Sequence, residues 1–195
     1  MSQPSPARDR YITLATEGFA NHGYHGLSLA NLAKTAGVTK QALLHHFGTK
    51  DALYNTALEA LTDRLLASLN DTPDVSPKLR LILHFQDLLG GETDSTADAR
   101  LILRNLLDST TETGVAPLKP YLKALLDLAR AVPAKKAATD MELLLGLYGV
   151  IGSAQYLLIS EDALAAFLRN EDTAAQKSAR QKAVAAQLKA FLDAD

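Results

Sequence analysis

The chain has 195 residues, of which 47% are hydrophobic and 22% are charged, and its net charge is -2 at pH 7. These values are typical of a soluble globular protein and exclude a disordered or collagen-like chain. The sequence contains no cysteine, so disulfides and thiolate metal sites are excluded, and we predict a cytoplasmic protein. The charge is uneven, because residues 1–54 carry five basic against three acidic side chains and the rest carries fifteen against nineteen.

Apolar residues recur at helical spacing along the chain, and glycine and proline lie mainly between these runs. No run alternates as a half-buried strand does, so we predict an all-α fold. A three-helix unit over residues 1–54 is expected to continue through a long helix into a helical bundle over residues 55–195. The predicted helices span residues 7–22, 29–36, 40–47, 50–70, 77–89, 97–109, 118–131, 139–160, 161–169 and 172–193.

Two short helices joined by a tight turn are predicted near the N-terminus. Ser28 and Thr39 are hydroxyl residues at the positions that cap the two helices, and Gly37 stands where a helix commonly ends in the left-handed conformation. A helix, a turn and a second helix with an outward polar face is the helix-turn-helix arrangement, whose second helix enters the major groove.

The second short helix has two unlike sides when its residues are placed about 100° apart. Its core side is predicted to hold Leu43, His46 and Phe47, and its outer side Lys40, Gln41, Leu44 and His45. Glutamine can pair with adenine, lysine can reach guanine or a phosphate, and apolar groups such as Ala42 or Leu44 can contact a thymine methyl group. The alternative is an ordinary solvated surface helix, and the order of the elements favours double-stranded DNA as the partner.

Three residues at helix N-termini are predicted to contact phosphates. Ser28 and Thr39 begin the two short helices, and Lys50 begins the long fourth helix. Free amide groups and the helix dipole favour anions at such positions. Contacts of this kind would position the protein on DNA without reading its sequence.

The run FANHGYHGLSLANLAKTAGVTKQALLHHFGTKDAL, residues 19–53, resembles the DNA-binding segment of the TetR family of bacterial transcriptional regulators. The resemblance implies a homodimer whose C-terminal domain binds a small effector, with effector binding lowering DNA affinity. The family commonly has a DNA-contacting tyrosine where this chain has Leu44, and small residues are frequent at the position of Gln41. The positions that match the family are Phe19, Gly23, Tyr24, Ser28, Leu32, Ala33, Ala36, Gly37, Val38, Thr39, Phe47, Lys50 and Leu53.

Two C-terminal helices are predicted to form the dimer interface. Small residues that allow close helix approach lie on one stripe of the first, and an apolar face marks the second. A two-fold dimer of this kind would match a palindromic operator. The predicted interface residues are Gly146, Gly149, Ser153, Val184, Leu188 and Phe191.

Polar residues on otherwise apolar helix faces are the candidates for effector contacts. The alternative for each is an ordinary buried residue with a protein partner. We expect a largely apolar effector, and we predict that His84 belongs to an exposed polar stripe with Arg80 and Asp87. The candidate effector residues are Gln86, Tyr121, Tyr148 and Gln155.

Other functions have weaker support in the sequence. Residues 143–159 carry no charge, but glycines and Gln155 interrupt this run, and we predict a buried bundle helix with no membrane partner. Adjacent His45 and His46 point to different sides of a helix and make a poor metal pair, so neither a metal nor a cofactor is expected. An all-α enzyme is a remaining alternative, although no catalytic motif is present. Another is a DNA-binding protein controlled by a protein partner.

Overall fold

The structure, a computed structural model, describes residues 6–90, 95–108, 116–168 and 172–194. All regular structure in these ranges is helical, and none of them contains a strand, which confirms the predicted all-α fold. Short 3₁₀ turns lie at Ala116–Leu118 and Pro133–Lys135. The α-helices are α1 Pro6–Gly26, α2 Leu29–Ala36, α3 Lys40–Phe47, α4 Lys50–Asn70, α5 Pro77–Gly90, α6 Ser95–Asp108, α7 Lys119–Arg130, α8 Asp140–Ile159, α9 Glu161–Phe167 and α10 Thr173–Asp193.

The helices match the ten predicted from the sequence to within a few residues. The largest difference is in α1, which continues to Gly26 through a kink at Gly23, where φ is 71° and ψ is 172°. Only glycine adopts this backbone conformation readily, so the chain turns there without ending the helix four residues earlier. The predicted helix ends at residues 109 and 169 lie outside the described residues.

The chain folds as two compact units, one of Met1–Arg64 with Ala97–Lys119 and the other of Leu65–Thr96 with Pro120–Asp195. Helix α4 therefore contributes residues to both units. The functional boundary after residue 54 stays a prediction.

The core of the first unit forms around the aromatic ring of Phe19, which is fully buried. Tyr54 contacts this ring edge-on at 4.8 Å between centroids, and Tyr24 stacks on it at 6.3 Å. Arg104 on α6 donates hydrogen bonds to the carbonyls of Ala20 at 2.8 Å and Asn21 at 3.0 Å. These carbonyls lie just before the kink, so Arg104 satisfies acceptors at the point where the regular α1 geometry ends.

The core of the second unit is built by α10, which packs against α5 and α8. Val184 and Leu188 on α10 are completely buried within the chain, so the prediction that they form a dimer interface is wrong. A side chain on Gly146 would begin only 2.0 Å from the ring of Phe191, which shows that this pair also packs within the chain. The sequence correctly indicated that α8 and α10 pack closely. The contact, however, joins α8 to α10 of the same chain and not to a second copy.

Helix α8 is long and apolar enough to cross a membrane by length and composition alone. One face of the helix packs in the second unit through Leu143, Leu147 and Val150. The opposite face is exposed, with Leu145 at 64% and Tyr156 at 68% of full exposure. In the single chain, the prediction of a buried bundle helix therefore holds for only one face of α8.

Replacing Gly37 tests the backbone of the helix-turn-helix turn. Gly37 adopts the left-handed conformation with φ 73° and ψ 28°, and its Cβ position is open space. Strain in the backbone, without a clash, should therefore make Gly37→Ala less stable by about 1 kcal/mol, measured as the free energy of unfolding in urea. Gly37→Asn is the matched control and should lose less, because asparagine tolerates this conformation best after glycine. Equal losses would contradict the backbone explanation.

Candidate functional sites

The turn between α2 and α3 is fixed by the backbone of Gly37 and Val38. The amide of Gly37 donates to the carbonyl of Lys34 at 3.1 Å, and the amide of Val38 donates to that of Ala33 at 2.9 Å. These bonds satisfy carbonyls that the end of α2 would otherwise leave free. The angle at which α3 leaves α2 is therefore set locally.

Three successive helices begin with a hydroxyl residue that accepts a backbone hydrogen bond. Ser28 accepts from Asn31 at 3.4 Å, Thr39 from Ala42 at 3.1 Å, and Thr49 from Ala52 at 3.0 Å. All three caps are exposed. Capping leaves other amides of each first turn free for an anion such as a phosphate. Thr49 belongs with the predicted phosphate-contacting residues Ser28 and Thr39, because it caps α4 in the same way.

Helix α3 is attached to the unit through two buried residues, Leu43 and Phe47. Its outward side chains Lys40, Gln41 and His45 are exposed, as predicted. Ala42 and Leu44 are half-buried, so they are less exposed to solvent than the helix geometry alone suggested.

His46 departs from its predicted position on the core side of α3. It is exposed, and its ring lies 5.4 Å from that of Tyr11 on α1. Arg8 lies over the ring of Phe47 at 5.2 Å. The first two turns of α1 therefore support the C-terminal half of α3 through aromatic and cation–π contacts.

Lys50 is held in place by Tyr24. Its ammonium group lies 4.9 Å from the centre of the Tyr24 ring, and the hydroxyl of Tyr24 donates to Asp51. The hydrogen bond to Asp51 raises the pKa of Tyr24, with smaller contributions from burial and from the charge of Asp51, so the phenol stays a neutral donor. The cation at the N-terminus of α4 is therefore positioned before any DNA arrives.

A hydrogen-bonded chain in the second unit links α4, α5 and α7, and it runs from exposed Asp87 through half-buried Ser68 to buried His84 and Tyr121. Ser68 donates to Asp87 at 3.0 Å and lies 3.1 Å from Nδ1 of His84. Nε2 of His84 lies 2.7 Å from the hydroxyl of Tyr121. One direction satisfies every group: Tyr121 donates to His84, whose Nδ1–H donates to Ser68, and Ser68 donates to the carboxylate of Asp87.

The prediction that His84 is an exposed member of a polar stripe is wrong. His84 is only 2% exposed, and burial lowers its pKa to about 4, although the charge of Asp87 has the opposite effect. Burial likewise raises the pKa of Tyr121, so both rings are neutral at pH 7. Helical spacing placed His84 beside Arg80 and Asp87, but Tyr121 on α7 packs against His84, whereas Asp87 stays exposed and Arg80 half-buried.

The residue types Ser68, His84 and Asp87 are those of a hydrolytic triad, but their connections differ. In a triad, the carboxylate accepts from the histidine, and the histidine accepts from the serine. Here the carboxylate accepts from the serine, and the other nitrogen of the histidine faces buried Tyr121. This arrangement does not activate a serine nucleophile.

An open cavity of about 450 Å³ lies beside this chain at the C-terminal end of α4. It is lined by Ala67, Ser68, Asp71, Thr72, Leu83, His84 and Asp87.

The four candidate effector residues do not line this cavity. Tyr121 is buried as predicted and reaches the cavity only through His84, whereas Tyr148 is 40% exposed on the outer face of α8. Gln86 is half-buried, and its backbone carbonyl accepts from Gln181 at 2.9 Å. Nε2 of Gln155 is buried and has no hydrogen-bond partner among the described residues.

The exposed sides of α8 and α10 form one surface of apolar and small residues. A Cβ atom on Gly149 would lie 3.8 Å from the side-chain amide nitrogen of Gln187 on α10. The two helices therefore adjoin along this edge. We call this surface the outer face of α8 and α10. Its members are Met141, Leu145, Tyr148, Gly149, Gly152 and Tyr156 on α8 and Ala179, Ala183, Ala186 and Ala190 on α10.

The two capped helices, the glycine turn and the exposed polar side of α3 define a helix-turn-helix protein of the all-α class. Residues 12–57 match the sequence model of a family described as bacterial regulatory proteins, tetR family. The match confirms, over this segment, the resemblance seen in the sequence.

Two of the similar proteins are named as helix-turn-helix transcriptional regulators, and a third is named as a nucleoid occlusion factor. The chain is 35% identical over 114 residues to the transcriptional activator FasR of Mycolicibacterium smegmatis, a match that covers 56% of this chain and 50% of FasR. It is 37% identical over 65 residues to the regulator RutR of Escherichia coli, of which it covers 31%. It is 28% identical over 161 residues to the nucleoid occlusion factor SlmA of Citrobacter koseri, covering 78% of this chain and 77% of SlmA.

Solved structures show the same fold over nearly the whole chain. A transcriptional regulator from Rhodococcus sp. Rha1 superposes with a TM-score of 0.73 at 22% identity, over 96% of each chain. The ketosteroid transcriptional regulator KstR2 of Mycobacterium tuberculosis superposes with a TM-score of 0.64 at 18% identity, again over 96% of each chain. The likeness therefore extends through the C-terminal helices as a likeness of fold.

Proposed function

We propose that the protein is a transcriptional repressor that binds a palindromic operator as a homodimer and is released by a small-molecule effector. The observation that carries the proposal is α3, which presents Lys40, Gln41 and His45 to solvent from a helix anchored by a turn of fixed geometry. The exposed caps Ser28, Thr39 and Thr49 supply phosphate sites around it. Such a regulator works on the chromosome and hence in the cytoplasm, without a membrane partner.

The outer face of α8 and α10 supports the homodimer. Large exposed apolar patches on a soluble protein mark interaction sites, and this face combines Leu145, Tyr148 and Tyr156 with a stripe of alanines. Small residues let helices from a second copy approach closely. Gly149 and Ser153 are the predicted interface residues that remain compatible with this role, because neither is fully buried within the chain.

Control by an effector is supported by polar groups in the second unit that an added ligand can engage. Nε2 of Gln155 is buried and finds no partner within the described ranges of the chain, which is rare in folded proteins. The cavity beside Ser68 and His84 has a volume within the range of small-molecule sites. An effector that couples to DNA binding by about 1 to 3 kcal/mol would lower DNA affinity five- to 150-fold.

Control by a protein partner is the second candidate function. The relative SlmA carries the name nucleoid occlusion factor, and its match extends over 78% of this chain. A protein of that kind could use the same helix-turn-helix without a small-molecule switch.

Selection of binding sites from a random duplex library tests the proposed function. The purified protein should enrich a palindrome whose half-site centres are about one helical turn, 34 to 36 Å, or a multiple of it apart. Enrichment of a single half-site would contradict the dimer, and no enrichment would contradict the DNA-binding function. Loss of the complex on adding metabolite fractions, with no protein present, would favour an effector over a protein partner.

Gln41 is expected to read a base. Gln41→Ala should relax the preference at one position of each half-site and cost about 1 to 3 kcal/mol against the preferred base. The measurement is the same selection repeated with the variant. His22→Ala, a change of an exposed side chain on α1, is the control and should leave the selected sequence unchanged. An unchanged motif for Gln41→Ala would remove Gln41 from base reading.

Lys50 is expected to contact a phosphate from its position over Tyr24. Lys50→Ala should weaken all duplexes alike and reduce the slope of log affinity against log salt by about one. Titration of a labelled operator at four salt concentrations measures this slope. Lys136→Ala removes an exposed lysine from the second unit and should leave the slope as it is. If Lys50→Ala has the same salt dependence as the wild type, the ammonium group of Lys50 does not contact a phosphate.

A further inference from the structure

The cavity at the C-terminal end of α4 has a lining of one chemical character. Its polar residues are Ser68, Thr72, Asp71, Asp87 and His84, and no lysine or arginine is among the described residues that line it. Carboxylates only accept hydrogen bonds, and hydroxyls accept them readily. The cavity therefore suits a ligand rich in N–H donors and opposes an anion.

The two carboxylates retain capacity to accept. Each ionised carboxyl group offers about four lone-pair positions, and Ser68 occupies one of those on Asp87. Neither Asp71 nor Asp87 forms an ion pair with a lysine or arginine in the part of the chain that the structure describes. The nearest arginine on α5, Arg80, instead donates to the carbonyl of Leu69 at 2.6 Å.

The wall of the cavity is already ordered. His84 is buried and fixed on both sides, by Ser68 at Nδ1 and by Tyr121 at Nε2. Ordered polar groups at a binding site bind a ligand without the entropic cost of being arranged first. Leu83 and Ala67 supply apolar surface next to them, which suits the hydrocarbon part of an amine.

We propose that this cavity binds a small organic amine in its protonated form and is the effector site of the protein. The ammonium group lies between Asp71 and Asp87, and the hydrocarbon part contacts Leu83. The effector role rests on the proposed function, whereas binding of the cation does not. The ligand is therefore cationic rather than largely apolar.

The hydrogen-bonded chain gives the site a route to the rest of the protein. An ammonium group on Asp87 shares the carboxylate with the hydroxyl of Ser68 and draws away part of its negative charge, and Ser68 is the neighbour of His84 in the chain that ends at Tyr121. Ser68 lies in the last turn of α4, and Lys50 is the first residue of that helix. Occupation of the cavity thus acts on the helix that carries a predicted phosphate contact.

Isothermal titration calorimetry with hexylammonium chloride tests the site directly. Hexanoate and hexan-1-ol have the same chain length with an anionic and a neutral head group, so they separate charge from hydrocarbon contact. We expect saturable binding of hexylammonium alone. Asp71→Asn and Asp87→Asn should each weaken it tenfold or more, and Asp63→Asn, the same change at an exposed residue of α4 outside the cavity, should not.

The outcomes separate the site from the function. Absence of saturable binding, or equal binding by the Asp71, Asp87 and Asp63 variants, overturns the amine site. Binding that depends on Asp71 and Asp87 but leaves the affinity for the selected operator unchanged overturns the effector role and keeps the cation site. Failure of the ligand-free protein to select any DNA refutes the proposed function, and the calorimetric result stands independently of it.

Discussion

Replacing both Leu145 and Tyr156 with glutamate should separate the protein into monomers and lower its affinity for the palindromic operator about 100-fold or more. Both side chains are about two-thirds exposed in the single chain, so the changes leave its own core intact. In a two-fold dimer each glutamate would be buried against an apolar surface, and like charges at an interface cost several kcal/mol. Loss of the second half-site removes the gain from bivalent binding, which is commonly 10² to 10⁴.

Analytical ultracentrifugation and operator titration measure the two effects together. Leu79→Glu makes the same chemical change at an exposed leucine of α5, outside the outer face of α8 and α10, and should remain dimeric. Circular dichroism establishes that the double variant is folded. A double variant that sediments as a dimer would place the interface elsewhere on the chain.

Acidification from pH 7 to pH 4 should lower the free energy of unfolding by up to about 3 kcal/mol through His84 alone. Burial lowers the pKa of His84 from 6.5 to about 4, partly opposed by Asp87. The unfolded chain therefore takes up a proton near pH 6.5, while the folded protein resists it until about pH 4. Because the unfolded state binds the proton first, stability is full above this window and falls as the pH drops through it.

Urea unfolding at a series of pH values measures this linkage. His84→Gln keeps a group that can accept from Tyr121 and donate to Ser68, but it does not titrate, so its stability should change less between pH 6.5 and 4. His45→Gln removes an exposed histidine of α3 and should retain the wild-type pH dependence. Parallel curves for the wild type and His84→Gln would show that His84 is not the responsible group.

The N-terminal features could be predicted because their causes are local. Ser28 and Thr39 act on amides three residues away, and Gly37 acts through its own backbone angles, so neighbouring residues define them. His84 could not be predicted in this way. Its environment depends on Tyr121, 37 residues further along, and no spacing within α5 shows that α7 covers it.

The dimer interface illustrates a different limit. The apolar composition of α8 indicated a buried helix, and in the single chain only one of its faces is covered. The rotation of α8 about its axis decides which side meets α10 of the same chain and which stays exposed. Gly146 and Leu145 are adjacent in sequence, but Gly146 packs against Phe191 of α10 and Leu145 is exposed. Periodicity alone does not distinguish a core contact from a surface that a second copy could cover.

The contact between Arg104 and α1 has a consequence for fragments of this protein. Arg104 lies more than eighty residues from the carbonyls of Ala20 and Asn21 that it satisfies, and the hydroxyl of Tyr54 donates at 3.3 Å to Asn105, 51 residues further along the chain. The helix-turn-helix unit is thus discontinuous, with residues 65–96 inserted between its two parts. A fragment that stops at Arg64 would expose these acceptors and the apolar surface beneath α6. The autonomous DNA-binding domain therefore has to include α6, whatever the length of the family match.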